Sequence, residues 1–260
     1  MGILEGKVGM VVGIANERSY AWFIAQALVA QGARCAFTYL PGEKNERRTR
    51  RGVSALGLSD PWMHELDAGS DEQLDACFEA YNQRFDRMDY LIHSIAFADR
   101  QWLQPGMFHK TPRDAYLQAI DISAYSLIAM ARRASEPMER TGGSIVAMSY
   151  YGSEKVVPGY NVMGIAKACL EANARYLASE LGEHDIRVNT ISGGFLRTLA
   201  SSAVAGTDAI AEHNKSRSPL RRNVEGEDVA GTAAWLVSDL ARGVTGENIY
   251  VDCGVNTIGI

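Results

Sequence analysis

The sequence predicts a doubly wound α/β fold, a seven-stranded parallel sheet with helices on both faces. Two observations predict it. Strand-length apolar runs alternate with helix-length amphipathic stretches along all 260 residues, the order of repeated βα units. Most of the strand runs are continuously apolar, as in Val8-Gly-Met-Val-Val12 and Ile145-Val-Ala-Met148. Continuous rather than alternating hydrophobicity marks strands buried on both faces.

Taken in order, the first strand, about 7–14, contains the Val8 run and stops near Gly13. Ile14-Ala-Asn-Glu-Arg-Ser-Tyr20 then leads into a helix near 18–31, with Ser19 placed to cap it. The second strand, 34–40, closes on Thr38-Tyr39-Leu40-Pro41-Gly42, and a basic helix is expected near 43–57. The third, 62–67, ends Glu65-Leu66-Asp67-Ala68 before a helix near 71–85. The fourth, 88–95, runs into His93-Ser94-Ile95-Ala96-Phe97-Ala98, and one long helix is expected over 112–139. The fifth, 143–149, leads to a helix near 159–182; the sixth and seventh fall at 186–192 and 247–252, with a helix near 226–240 between them. Residues 193–222 break the rhythm, because a strand should follow the sixth promptly. An added stretch at that edge of such a sheet is where a substrate lid sits, although a surface loop carrying short helices fits equally well. No Pro/Ser-rich linker, composition change or internal repeat divides the chain, so residues 1–260 read as a single Rossmann-like domain.

Composition narrows the function. A formal charge of −5, from 26 basic and 31 acidic residues, gives no reason to expect nucleic acid or an anionic membrane as partner. No apolar run approaches the ~20 residues that span a bilayer. Met1-Gly-Ile-Leu-Glu-Gly-Lys7 lacks the basic start of a secretory signal, and Gly6 stands where myristoylation wants Ser or Thr. Cys35, Cys77, Cys169 and Cys253 have no paired spacing and read as small apolar fillers in a reducing cytosol. The five histidines show no ligand spacing, and no metal site is predicted.

The strand ends carry the chemistry. A strand–turn–helix at the start of such a domain offers backbone N–H groups and a helix dipole to a pyrophosphate. Gly13 stands alone there, where the dinucleotide fingerprint wants three glycines. The second strand ends without the Asp or Glu that would hold an NAD ribose, and Lys44, Arg47 and Arg48 follow. Those cations suit a 2′-phosphate, hence NADPH, or equally a solvated helix face. Asp67 offers a carboxylate to an adenine amino group, and the small residues after His93 would let backbone approach a ribose; either is equally ordinary strand-end chemistry.

The most informative stretch is Tyr160-Asn-Val-Met-Gly-Ile-Ala-Lys167. On a helix this spacing falls ~20° short of two turns, so both side chains share a face ~10 Å apart. A phenol has an ordinary pKa of about 10, and a nearby ammonium is expected to lower it. The pair suits negative charge building on a substrate oxygen. Taken alone, an amphipathic helix with an incidental Tyr and Lys explains it as well.

Together these segments resemble the short-chain dehydrogenase/reductase superfamily. The closer likeness is to its divergent branch, the bacterial enoyl-acyl-carrier-protein reductases of type II fatty acid synthesis. The likeness spans nearly the whole chain. It rests on Gly13 to Ser19 without further glycines, Ser94-Ile-Ala-Phe-Ala98, Ser149-Tyr150 with the Tyr160–Lys167 octet, and Arg197-Thr-Leu-Ala200. Thr245-Gly-Glu-Asn-Ile-Tyr-Val-Asp252 is general to the superfamily. The octet is specific, because the commoner pattern is Tyr-x3-Lys and the residue four after Tyr160 is Gly164.

The resemblance implies reduction of a trans-2-enoyl thioester by hydride transfer from NADH, with NADPH not excluded. It implies Tyr160 as hydrogen-bond donor to the thioester carbonyl and Lys167 on the nicotinamide ribose. Tyr150, Met163 and Phe97 would line the acyl pocket. Gly13, Ala15, Ser19 and Tyr20 would hold the pyrophosphate, Asp67 and Ala68 the adenine, Ser94, Ile95 and Ala96 the ribose region, and Thr198 the pyrophosphate or carboxamide. A cytoplasmic bacterial homotetramer acting on acyl-carrier-protein thioesters is expected, and Val255-Asn-Thr-Ile-Gly-Ile260 would suit a subunit interface or simple core burial. Leu40, Phe195, Ala96 and Cys253 depart from the family pattern, in which a polar residue, proline, glycine and glycine are usual. The lid stretch Ala205-Gly-Thr-Asp208-Ala209 lacks the basic residues that meet the carrier protein, which brings a coenzyme A thioester into view unless Lys215, Arg217, Arg221 and Arg222 supply the patch. Two other readings remain: a carbonyl reductase of the same superfamily, and a non-catalytic nucleotide-binding redox sensor.

Overall fold

The computed structural model describes residues 2–198 and 207–259. These residues form a seven-stranded sheet in which every pairing is parallel. The strands are β1 (Val8–Val12), β2 (Arg34–Tyr39), β3 (Met63–Glu65), β4 (Tyr90–His93), β5 (Gly143–Ser149), β6 (Ile186–Gly193) and β7 (Asn248–Val251). Their order is β3-β2-β1-β4-β5-β6-β7, the doubly wound arrangement expected. The chain steps outward from β1 to β3 and then returns to place β4 on the other side of β1. That reversal opens a crevice at the carboxyl ends of β1 and β4, where such sheets bind ligands.

Helices cover both faces. α1 (Tyr20–Ala30) and α8 (Gly226–Val237) pack together on one, burying Ile24, Leu28, Val229 and Leu236. α3 (Asp71–Arg84), α5 (Ser126–Met138) and α6 (Val162–Leu181) cover the other through Leu74, Phe78, Leu127, Met130 and Leu170. α2 (Glu43–Ser54) flanks β2, α4 (Arg113–Ile120) precedes α5, and α7 (Thr207–Arg217) lies in the segment after β6.

Several elements differ from expectation for identifiable reasons. β3 is only three residues long, because at the sheet edge it pairs only with Phe37 to Tyr39. The long helix expected over 112–139 holds a π-helical turn at Asp121–Tyr125. That turn carries Ser123, whose hydroxyl meets both the N–H and the carbonyl of Phe97; single π turns of this kind recur at functional sites. α6 starts at Val162 rather than 159, because Asn161 takes a left-handed φ of 45°. Its side-chain amide donates to the carbonyls of Trp102 and Gln104 at 2.6 and 2.8 Å, which holds it there. Of the stretches singled out in the sequence, Leu199, Ala200, Ala205, Gly206 and Ile260 lie outside the described residues. Of the tail, Val255 is buried and Ile258 is exposed.

Gly9 in the middle of β1 has a packing reason. The Tyr90 ring crosses over it to reach β2, where its hydroxyl donates to the Arg34 carbonyl at 2.8 Å and touches Cys35 Sγ at 3.0 Å. A β-carbon on Gly9 would sit 2.1 Å from the Tyr90 carbonyl oxygen and 2.6 Å from its ring. Gly9→Ala is therefore expected to cost about 1–3 kcal/mol, the usual scale of overpacking. Chemical denaturation measures it, and an unchanged midpoint would contradict this packing.

Candidate active site

A cleft of about 1010 Å³ runs along the carboxyl ends of the strands. Every residue that the resemblance assigned to the site borders it: Gly13, Ala15, Ser19, Tyr20, Asp67, Ala68, Ser94, Ile95, Ala96, Phe97, Tyr150, Tyr160, Met163, Lys167 and Thr198; of the cations after the second strand Arg48 borders it, and Lys44 and Arg47 do not. One end is formed by Tyr39 and Leu40 after β2, Asn45 and Arg48 on α2, and Leu66 to Ala68 after β3. The other end holds Tyr150, Tyr160 and Met163. The turn after β1 lies between them.

That turn fits a dinucleotide without the full glycine fingerprint. Gly13 has φ 105°, and a β-carbon there would stand 2.0 Å from the Ser94 carbonyl oxygen. One glycine thus meets both demands, positive φ and close approach of the β1 and β4 ends. The rest of the turn is held by its own polar groups. Asn16 Oδ1 accepts from the Arg18 N–H at 2.9 Å, and Ser19 Oγ donates to the Asn16 carbonyl at 2.7 Å. Ser19 consequently makes no side-chain cap to α1, contrary to the simplest expectation. Tyr20 borders the cleft and donates its hydroxyl to the Gly194 carbonyl at 2.7 Å. Asp67 turns one carboxylate oxygen to the Gly69 N–H at 2.9 Å.

Lys167 is 5% exposed and ties three elements together. Its ammonium donates to the Met148 carbonyl at 2.7 Å and approaches the Ile95 carbonyl at 3.5 Å, joining α6 to the ends of β5 and β4. Burial pulls its pKa down to about 8, and the charge of Glu171, one turn along α6, opposes the shift. Glu171 is itself 7% exposed and accepts a hydrogen bond from Ser149 Oγ. His93, fully buried behind this group, pairs Nε2 with Ser126 Oγ at 2.8 Å. Burial, then the Lys167 charge, holds its pKa down to about 3, so it is neutral at ordinary pH.

Tyr160 departs from the sequence expectation twice. It precedes α6, and the left-handed Asn161 turns it off the helix face that carries Lys167. Its pKa is raised, not lowered: burial dominates, and the negative charge of Glu171 adds to it. The phenol is thus a neutral donor. Its ring stacks edge-on against Tyr150, with centroids 4.9 Å apart, and Tyr150 in turn meets Tyr151 at 5.1 Å. Its hydroxyl has no hydrogen-bond partner among the described residues. Met163 lies beneath, with its sulfur 3.9 Å from Ser123 Oγ.

Glu171 and Gly152 escaped the sequence reading, and Gly164 entered it only as the place where a lysine is missing. A β-carbon on Gly152 would fall 2.6 Å from the Tyr160 ring and 3.1 Å from that of Tyr150. One on Gly164 would fall 2.6 Å from the Gly152 carbonyl oxygen. The two glycines let the turn after β5 press against α6 and seat both rings. Glu171 was visible only as an acid four residues beyond Lys167, a spacing that places both on one helix face.

Comparison with known proteins agrees across the chain. A family model described as Enoyl-(Acyl carrier protein) reductase matches residues 13–256. The Bacillus cereus protein named enoyl-[acyl-carrier-protein] reductase [NADH] FabI is 47% identical over 259 residues, covering all of both chains. The solved structure of the Bacillus cereus enoyl-acyl carrier protein reductase with NADP+ and indole naphthyridinone superposes with a TM-score of 0.96 at 47% identity, again over the full length of both. An Anaplasma phagocytophilum enoyl-(acyl-carrier-protein) reductase in complex with NAD gives 0.94 at 44% identity, over 100% of this chain and 97% of that one.

Gly152→Ala tests how the two rings are seated. The added methyl is expected to displace them and cut catalytic turnover roughly 10- to 100-fold, the scale of a ~1 Å misplacement, while the protein stays folded. Steady-state turnover and thermal denaturation, measured together, read this. Undiminished turnover would show that the rings are not held by this contact.

Proposed function

This chain belongs to the enoyl-(acyl carrier protein) reductase family and reduces enoyl thioesters to saturated acyl thioesters; we propose that Tyr160, Lys167 and Tyr150 carry the reaction with NADH as coenzyme. The observation that carries the assignment is the Tyr160 hydroxyl, without a hydrogen-bond partner among the described residues, in the cleft that the buried Lys167 also lines. When bound, NADH would supply the hydride that the β-carbon of a trans-2-enoyl thioester takes up. Charge then builds on the thioester carbonyl oxygen, and Tyr160 donates its hydrogen bond there. A neutral phenol suits this task, because it has a proton to share when the oxyanion forms. A proton from solvent on the α-carbon completes the reduction.

An ammonium has three donors, and Lys167 directs one firmly to Met148. A second approaches the Ile95 carbonyl at 3.5 Å, which leaves a third for the nicotinamide ribose hydroxyls, and the positive charge favours the developing oxyanion. Tyr150 closes the far side of the acyl pocket, with Met163 and Phe97 along it. The Ser123 clasp on the Phe97 backbone supports a fixed pocket wall. Gly13, Ala15, Ser19 and Tyr20 receive the pyrophosphate, Asp67 and Ala68 the adenine, Ser94 to Ala96 the ribose region, and Thr198 the pyrophosphate or carboxamide.

The carrier protein is proposed to dock near α7. Exposed Lys215 and Arg217 have no carboxylate partner among the described residues, whereas Arg222 is spent on Asp228 at 2.6 and 2.9 Å. A homotetramer is supported by apolar side chains left exposed on the packed helices α4, α5 and α6, among them Leu117, Ile128, Ile165 and Tyr176. No helix of the described residues is long and apolar enough to cross a membrane. A bacterial cytoplasmic location is proposed, as for type II fatty acid synthesis, and four unpaired cysteines support it.

NADH oxidation with a short trans-2-enoyl thioester, on coenzyme A and on acyl carrier protein, tests the reaction. Tyr160→Phe is expected to lower kcat about 10²- to 10³-fold, the usual effect of removing one oxyanion donor, with little change in KM for NADH. Absence of wild-type turnover on both thioesters would overturn the reading.

A further inference from the structure

Resting on the reading above that Lys167 serves the reaction as an ammonium, we propose that Glu171 is a positioning residue whose carboxylate, held by Ser149, preserves the Lys167 charge and so sets the alkaline limit of turnover.

Glu171 lies on the buried face of α6, and its side chain has one hydrogen bond among the described residues, from Ser149 Oγ. Among those residues no cation approaches it to ion-pair distance, Lys167 included, so the two charges act on each other across a gap. A buried carboxylate so thinly compensated is costly to the fold. Groups of that kind gather where they tune the ionisation of others.

The end of β5 aims this charge. The Met148 carbonyl accepts from Lys167 at 2.7 Å, and the hydroxyl of Ser149, the next residue, donates to Glu171. Consecutive residues thus hold the cation and the carboxylate, which stand four residues apart on one face of α6. Level with Ser149 in the sheet are Ser192 on β6 and Tyr250 on β7. Neither draws the carboxylate away: Ser192 Oγ has no hydrogen-bond partner, and Tyr250 donates its hydroxyl to Glu154.

The other titratable groups that face this cluster come from three directions. His93 on β4 is neutral. Tyr150 and Tyr160 after β5, and Tyr250 on β7, are kept protonated chiefly by burial. Asp252, after β7, acts on Tyr150, Tyr151 and Tyr250. Glu171 is the anion whose charge opposes the burial of Lys167, and the same charge adds to burial in keeping the proton on Tyr160. One carboxylate therefore biases both groups toward the forms the reaction uses, a charged lysine and a neutral phenol.

The pH profile of kcat/KM for a short trans-2-enoyl thioester, at saturating NADH, tests this. Wild-type turnover is expected to fall on the alkaline side as Lys167 deprotonates, near pH 8. Glu171→Gln keeps the shape and an acceptor for Ser149 but removes the charge, so the ammonium is lost earlier as pH rises. Its alkaline limb should lie about one pH unit lower, the low end for losing a nearby opposite charge. Glu171→Met carries the same expectation if the amide variant does not fold, since an apolar side chain of similar size often replaces a buried charge without loss of stability. Glu171→Asp retains the charge and should show less than about half of that displacement. The 13C titration of Lys167 Cε should move with the limb in every variant. A limb unmoved by the neutral substitution, or moved as far in Glu171→Asp, would overturn the proposal while wild-type turnover kept the reductase reading intact. Absence of wild-type turnover would overturn that reading instead, and the Lys167 titration in the same variants would then decide alone whether Glu171 sustains its charge.

Discussion

The ammonium of Lys167 is buried where α6 meets the ends of β4 and β5, and the geometry around it follows from that burial. A lone charge in such a place costs several kcal/mol unless it is hydrogen-bonded and paired. The protein answers with the Met148 and Ile95 carbonyls, a carboxylate one turn along the same helix, and Ser149 holding that carboxylate. Each compensation fixes a strand end. The lysine cannot move without disturbing the crevice, and the crevice cannot widen without stripping the lysine of acceptors. His93 stays neutral behind it for the same reason, since burial and the nearby cation both disfavour a second charge.

Tyr160 is set by a different device. Asn161, pinned by the carbonyls of Trp102 and Gln104, turns the chain immediately before α6 begins. The phenol is thereby delivered from a turn, and its ring rests on Tyr150 over Gly152. Burial then decides its ionisation. Water would solvate a phenolate far better than this pocket does, so the proton stays on the oxygen that must donate it.

Much of this was legible in the sequence. Continuous apolar strands gave the parallel sheet and its order of elements, because burial on both faces leaves no polar alternation to read. The site residues that the resemblance assigned were legible because most stand at strand ends or in one short octet, and they all border one cleft; Lys44 and Arg47 do not. The remainder depends on contacts between distant segments. Asn161 is left-handed because of carbonyls more than fifty residues earlier in the chain. The π turn exists where Ser123 meets Phe97. Gly13 suffices alone because Ser94 approaches from another strand. The ionisation of Tyr160 was misread from the octet because proximity to a lysine was weighed without the desolvation that accompanies it.

The central claim is an order of proton loss: the lysine before the tyrosine. An NMR titration of the protein carrying 13C at tyrosine Cζ and lysine Cε measures both directly, with Tyr160→Phe and Lys167→Arg identifying the resonances. The account predicts that Lys167 deprotonates near pH 8 while Tyr160 stays protonated well beyond the ordinary tyrosine range. A Tyr160 phenolate appearing at or below the Lys167 transition would contradict it, and would mean that the lysine charge, not burial, governs the phenol.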